Sequence, residues 1–385
     1  MARIESITAT LTHHKIAEAA HMIRTEKKNT DVAQIDMKTS SLADQPATKI
    51  QSAAKYLIVK GIAGLGNRML AAITGVLFAR LMNRRLIIDW SDFTYSNDET
   101  NVFPLLFTCP DAEPPLEIPD TDSISPPLWR GRLHKSASVV ISEVDPSAYA
   151  GRRGYRLFSY DLDKLDHPEE LLVMWSYTQL IRRARKHFRG QFAAWAKMSD
   201  EAILSEILRT TLIPRPEIRA RIKKWQAENF GSGPVIGVHI RFMDSKIPWL
   251  PFIKFRTSID SFFAAIDKIR ANAPDAVIFL ATDNREAQSL VEKRYPKVIA
   301  TEKWFPTTGF EMHQNPECSD RMNNAVEALV DMYLLAECDY LVFPSSSTFS
   351  YISSLLSKIP RARIVDVERN DPIIRVVKLA RYWLT

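Results

Sequence analysis

Cysteine is scarce in this chain: Cys109, Cys318 and Cys338 are the only three in 385 residues. Their spacing supplies neither a disulfide framework nor a metal-binding pair, so a reducing cytoplasm is the expected compartment. Long apolar runs are also lacking. A membrane span needs about 18 or more apolar residues, and the nearest approach, Met69 to Met82, holds 14 and already carries Arg80. The N-terminus has no apolar stretch followed by a small-residue cleavage site, so no export signal is expected. There is no helix-turn-helix or RNA-recognition signature, no G-x-G-x-x-G dinucleotide turn and no G-K-[ST] P-loop ending. The expectation is therefore a soluble protein that uses none of these standard devices.

What is present is ordinary globular material, 46% hydrophobic and 25% charged, in a chain long enough for two domains. Residues 1–54 stand apart, with His13-His14, Lys27-Lys28 and a Ser/Thr/Ala/Gln-rich piece from Lys38 to Lys55, and read as a partly disordered extension. Residues 55–212 form a first α/β domain, 213–370 a second, and 371–385 a C-terminal helix packing back across both. The net charge of +6 is concentrated in Arg182-Arg183-Ala184-Arg185-Lys186-His187-Phe188-Arg189. Such a run suits an anionic partner, a membrane surface included; its commoner fate is a solvated helix face.

The most informative stretch is Val235-Ile-Gly-Val-His-Ile-Arg241, an apolar run that reads as a buried strand delivering His239 and Arg241 at its carboxyl end. In open α/β sheets that end receives ligands, and a guanidinium suits phosphate oxygens. Downstream, Val277 to Ala281 leads into Thr282-Asp283-Asn284, Lys297 to Thr301 reads as a short strand, and Met322 to Cys338 reads as a helix. The strand Tyr340 to Phe343 then precedes Pro344-Ser345-Ser346-Ser347 and another helix. Alternating strands and helices imply a parallel sheet. In the first domain, Lys55 to Lys60 and Leu86 to Trp90 read as strands flanking an amphipathic helix, Met69 to Met82. Between them lies the cluster Gly61-Ile-Ala-Gly64-Leu-Gly66-Asn67-Arg68, where a backbone approaches a ligand closely or simply turns tightly.

Several side chains invite chemistry. Asp331 falls on a helix face that should be packed, and a buried carboxylate needs donors; guanine's adjacent N1–H and N2–H would serve, as would protein groups. Asp283 is a second nucleotide candidate or a helix cap. The serine turn offers hydroxyls and amides to a phosphate, or caps its helix. Asp244 is the nearest acid beyond Arg241 and is taken as the general base. Arg241 and His239 alternate along one strand and share a face. Arg68 reads as a surface ion-pair partner or a site residue.

Taken in order, Gly64-Leu-Gly-Asn-Arg68, His239-Ile-Arg241, Ala281-Thr-Asp283, Asp331 with Asp339-Tyr-Leu-Val342, and Ser345-Ser-Ser347 resemble the fucosyltransferase superfamily that includes α1,6- and protein O-fucosyltransferases. Within it, the chain is similar to the rhizobial nodulation α1,6-fucosyltransferases. The resemblance implies a GT-B fold of two Rossmann-like domains facing each other across a cleft. It also implies GDP-fucose as donor, inversion, and no metal or other cofactor. The implied acceptor is an oligosaccharide hydroxyl such as O6 of GlcNAc in a chitooligosaccharide-like chain. Asn67, His239, Arg241, Asp283, Asp331, Ser345, Ser346 and Ser347 become donor contacts, with Arg241 and Asp244 catalytic. The chain departs from the animal α1,6-enzymes at Phe242, where they carry a second arginine, and over Ser245 to Trp249, which holds no glutamate. Lys246 is the residue there that supplies positive charge. A related GDP-sugar used on a bacterial surface polysaccharide is the alternative, and the expected location is cytoplasmic, at the periphery of the inner membrane.

Two rival readings remain. Asp161-Leu-Asp163 matches the D-x-D by which GT-A transferases hold a divalent metal. The basic run 182–189 would serve a non-enzymatic nucleic-acid or nucleotide-binding protein, although no nucleic-acid partner is expected.

Overall fold

The β-branched run Tyr56-Leu-Ile-Val-Lys60 forms β1, buried on both faces as a central parallel strand must be. The computed structural model describes residues 54–375 apart from 114–117, 120, 146–156, 177–179, 242–244, 248–249, 256, 308–314 and 373. Nearly all of the N-terminal extension, and most of the C-terminal helix expected from 371, lie outside the described residues.

After β1 come α1 (Leu65–Met82), β2 (Arg85–Asp89), β3 (Ile124–Ser125), α2 (Ala137–Val144), β4 (Leu171–Trp175) and α3 (Asp200–Thr211). The second lobe follows with α4 (Pro216–Asn229), β5 (Val235–Ile240), α5 (Ile259–Arg270), β6 (Val277–Thr282), α6 (Arg285–Arg294) and β7 (Val298–Ile299). It ends with α7 (Arg321–Ala336), β8 (Tyr340–Phe343), α8 (Thr348–Leu356) and β9 (Ile364–Asp366). A hairpin, Ser245–Ile247 with Leu250–Phe255, is inserted between β5 and α5.

The first sheet runs β2-β1-β4-β3 and the second β7-β6-β5-β8-β9, all strands parallel. In each, the chain builds outward on one side of its first strand and then returns to the other side. The reversals fall between β1 and β4 and between β5 and β8, and the carboxyl ends flanking such a reversal are where α/β sheets bind ligands.

Strand alternation divides the core. Leu57 and Val59 face inward while Tyr56 and Ile58 face an outer cluster with Trp129 and Trp175. The second sheet shows its outer face to Phe262, Ile266 and Val291. The inner cluster is continuous from β1 and α1 through α3 to α7 and α8, so both lobes share one core. Helix α1 lies inside it with fourteen of its eighteen residues buried. The amphipathic helix expected from Met69 is thus corrected on two counts. It starts at Leu65, so Gly66, Asn67 and Arg68 belong to its first turn, and it is apolar nearly all round because protein covers both sides. Among the described residues it is the one helix with the length and composition of a membrane span, and it is a core helix.

The lobes meet most tightly at Gly66. A Cβ placed there would lie 2.7 Å from the backbone carbonyl carbon and oxygen of Thr348, at the start of α8. Only glycine lets the two helix ends approach so closely. Gly66→Ala is expected to destabilise the protein by about 1–3 kcal/mol through overpacking, read as a lower thermal midpoint. Gly233→Ala, where a Cβ meets nothing within 4 Å, is the neutral control.

Candidate active site

Both reversal points open onto one junction. From the carboxyl end of β1 the chain passes through Gly61–Gly64 into α1, and from that of β8 through Pro344–Ser347 into α8, whose first turn touches Gly66. Two helix N-termini, each with unsatisfied first-turn amides and a partial positive charge, therefore converge.

On the first-lobe side, Arg68 is fully buried. Its Nε donates to the Ala63 carbonyl at 2.9 Å and its Nη1 to Trp90 O at 3.3 Å. Its Nη2 pairs with Asp92, and its guanidinium lies over the Tyr95 ring. Ala63 sits in the left-handed region at φ 63°, so Arg68 fixes the glycine turn from below. The surface role expected for it is overturned, because the loop folds over its side chain. The Tyr95 hydroxyl accepts the Leu65 amide at 2.7 Å. Asn67 is half-buried in the first turn of α1, next to the Gly66 contact.

On the second-lobe side, His239 is paired in register with Ala281 near the end of β5, and Arg241 is the first residue beyond that strand. The His239 ring stacks on Phe349 of α8 with centroids 4.7 Å apart and planes at 17°. Its Nδ1 is buried with no hydrogen-bond partner among the described residues. Burial first, then the charges of Arg241 and Lys303, push its pKa down to about 3, so at neutral pH it is an uncharged imidazole among cations.

Ser345 and Ser346 turn toward carboxylates. The Ser345 amide and hydroxyl donate to Asp366 at 3.1 and 2.5 Å, and those of Ser346 donate to Glu368, both at 2.7 Å. Ser347 differs: it occupies the N-cap position of α8, yet its buried hydroxyl has no hydrogen-bond partner among the described residues. Elsewhere Ser199, Ser258, Asn284 and Asp320 all cap their helices through the side chain.

Asp331 is buried on α7, and its carboxylate accepts from the Thr301 hydroxyl at 2.6 Å and pairs with Lys303. Asp283 follows β6, but the cap of α6 is its neighbour Asn284, which accepts the Ala287 amide at 2.9 Å. Asp244 lies outside the described residues, as does Phe242; the hairpin that carries Lys246 is described by its backbone alone. Sequence gives little sign of Lys303, Glu368 and Asp366, because Lys303 and Glu368 lie in loops without periodicity and Asp366 ends a three-residue strand; Lys303, two residues past an expected strand end, was the one with a signal.

The rival motifs satisfy each other. Asp163 of the D-x-D pairs with Lys186 at 2.7 Å and Arg183 at 3.2 Å of the basic run, Arg185 pairs with Asp200 at 2.5 Å, and Asp161 pairs with Lys164 at 3.3 Å. No cluster of three metal-type ligands occurs among the described residues.

Two Rossmann-like lobes sharing a core, with both reversal points opening on the seam, define the GT-B architecture. Against known proteins, residues 193–381 match the family model of nodulation protein Z (NodZ). Nodulation protein Z of Bradyrhizobium diazoefficiens is 25% identical over 338 residues, covering 83% of this chain and 82% of its own. That of Azorhizobium caulinodans is 28% identical over 308 residues, covering 76% and 86%. The crystal structure of fucosyltransferase NodZ from Bradyrhizobium superposes with a TM-score of 0.55 at 23% identity, covering 83% of this chain and 97% of that one. A NodZ α-1,6-fucosyltransferase soaked with GDP-fucose gives 0.55 at 22% identity, covering 79% and 93%. The C-terminal half of the chain thus matches the NodZ family model, and the solved structures share the chain's fold.

His239 provides a test of this electrostatic picture. Its folded pKa, about 3, lies below its ordinary 6.5, so between those values the unfolded chain holds a proton that the folded chain does not. Stability is then complete above about pH 6.5 and falls as the pH drops toward 3, by up to about 1.4 kcal/mol per pH unit. The urea midpoint is expected to fall between about pH 7 and about pH 5, and His239→Asn to flatten that slope. An equal slope in the variant would show that His239 titrates normally.

Proposed function

We propose that this chain is an inverting glycosyltransferase that moves fucose from GDP-fucose to a glycan hydroxyl, O6 of a GlcNAc residue in a chitooligosaccharide-like acceptor. The observation that carries the reading is the meeting of two helix N-termini, Arg241 and the unengaged Ser347 hydroxyl at facing reversal points: an anion seat built from fixed donors. The donor assigned in this reading is supported by NodZ α-1,6-fucosyltransferase, which was co-crystallised with GDP and soaked with GDP-fucose.

Cleaving a sugar–diphosphate bond builds negative charge on the leaving oxygen and oxocarbenium character on the sugar. Donors already oriented toward the diphosphate lower that barrier without reorganising. Arg241 and the first-turn amides of α8 take this part. The buried Asp331–Lys303 pair presents an acceptor beside a donor, the complement of guanine's N1–H/N2–H and O6; adenine offers the reverse pattern. Inversion follows from one displacement, with the acceptor oxygen attacking the face opposite the diphosphate as Asp244 takes its proton. The acceptor falls to the first lobe, where Asp89, Asn101, Phe103, Phe107 and Arg215 line a cavity of about 480 Å³. A cytoplasmic location at the membrane periphery belongs to the same proposal, and three buried free thiols suit a reducing compartment.

Calorimetric titration is expected to show GDP binding well ahead of UDP or ADP, and product analysis with chitooligosaccharides to show fucose transfer; equal affinity for all three nucleotides would defeat the proposal. Arg241→Ala should cost about 2–5 kcal/mol, roughly 30- to several-thousand-fold in donor turnover. Asp244→Asn should lower turnover far more than GDP affinity. Because its carboxylate is already neutralised, Asp163→Ala should leave turnover unchanged, as should EDTA; a loss with either would restore the metal-dependent reading.

A further inference from the structure

Resting on that donor site, we propose that Glu368 is its positioning residue: its buried carboxylate holds the serine turn away from the anion, leaving Ser347 and the first turn of α8 to face the diphosphate. Glu368 is 1% exposed. A buried carboxylate requires donors on both oxygens, and it has them. Oε2 accepts the Ser346 amide at 2.7 Å, while Oε1 accepts the Ser346 and Thr257 hydroxyls, each at 2.7 Å. Asp366 takes the Ser345 amide and hydroxyl in the same way.

Two consequences follow from these bonds. The amides and hydroxyls of Ser345 and Ser346 are committed to negatively charged side chains, so a phosphate placed on them would displace one anion with another. The next residue, Ser347, keeps a buried and unengaged hydroxyl, and the α8 amides beyond it have no intrahelical partners. The carboxylate pair thus moves the anion seat one residue along the turn. Glu368 also bonds Thr257, two residues past the end of the hairpin strand Leu250–Phe255. The Thr257–Glu368 bond fastens the segment that precedes α5 to the serine turn.

A double-mutant cycle separates positioning from direct contact. Glu368→Ala is expected to raise the GDP dissociation constant roughly tenfold or more, with Glu368→Gln, which keeps one acceptor oxygen, recovering part of it. Ser346→Ala should reproduce a fraction of the Glu368→Ala effect and add nothing to it in the double variant, because both remove the same bond. Ser347→Ala should multiply with either. Unchanged GDP affinity in Glu368→Ala, or multiplying effects of Ser346→Ala and Glu368→Ala, would overturn the proposal; the latter would put Ser346 on the phosphate itself. If Glu368→Ala fails to fold, Thr257→Val and Ser346→Ala each remove one bond, and no shift in GDP affinity from either is equally decisive against it. Wild-type protein that binds no GDP would instead refute the donor site, and this inference with it.

Discussion

The close approach of α1 and α8 at Gly66 is the constraint on which the rest depends. Two helix N-termini brought this close are mutually repulsive, each carrying roughly half a positive charge. What holds them is the shared core along their flanks, where Leu70, Ile73, Leu77, Ile352 and Leu355 are buried with side chains of α3 and α7. Each such side chain contributes roughly 1.5–3 kcal/mol of burial, while one helix end interacting with a charge is worth roughly 0.3–1 kcal/mol. Hydrophobic burial therefore imposes an arrangement that electrostatics alone would not favour, and the Asp366 and Glu368 carboxylates on the serine turn offset part of the positive end of α8. The far end of α8 is gripped by the first lobe as well. Arg209 of α3 donates to the Leu356 carbonyl at 3.0 Å and to that of Ser357, and Ser205 donates to Leu355 O at 2.5 Å. A helix connected to the second sheet is thereby fixed at both ends by residues N-terminal to that sheet.

Three buried ion pairs cluster near the carboxyl ends of these strands: Lys60 with Asp89, Arg68 with Asp92, and Lys303 with Asp331. Desolvation takes back most of what such pairs gain, so they are poor stabilisers. Their geometry is more telling. Lys60 and Asp89 are register partners on neighbouring strands, and Lys60 also reaches the Lys135 carbonyl at 3.0 Å, tying the approach to α2 onto the sheet. Arg68 holds the left-handed Ala63. Each pair fixes a loop near the carboxyl end of a strand, and a displacement of about 1 Å there is costly to a reaction that depends on placement.

Strand periodicity made much of the second lobe legible, since Val235, Val277 and Tyr340 each open an apolar run bounded by turn residues. The first lobe was less so. Leu171–Trp175, a central strand of its sheet, is an isolated apolar pentapeptide between irregular stretches, and its partner β1 lies more than a hundred residues earlier. Helix α1 looked one-sided because sequence shows where apolar residues fall and not that a second lobe covers the remaining face. Within the site, His239, Arg241 and the serine turn were visible because strand ends are readable. Glu368, Lys303 and Thr301 were not, because their roles arise from chain segments brought together only by folding. Arg68 kept two readings for the same reason: nothing in Gly-Asn-Arg indicates that the turn closes over the guanidinium.

The state of His239 ties these levels together. An imidazole stacked on Phe349 and enclosed by the core would accept a proton only at the expense of desolvated charge, and Arg241 and Lys303 add repulsion to that expense. The charges that make the junction attractive to an anion are thus the ones that keep its histidine neutral. A protonated ring would act as one more point charge, whereas a neutral one offers a directed donor or acceptor at a fixed tautomer, set by whatever occupies Nδ1. In the donor site proposed above, discrimination is accordingly divided: fixed positive ends and guanidinium would supply attraction to any phosphate, and the uncharged imidazole with the Asp331–Lys303 pair would supply direction.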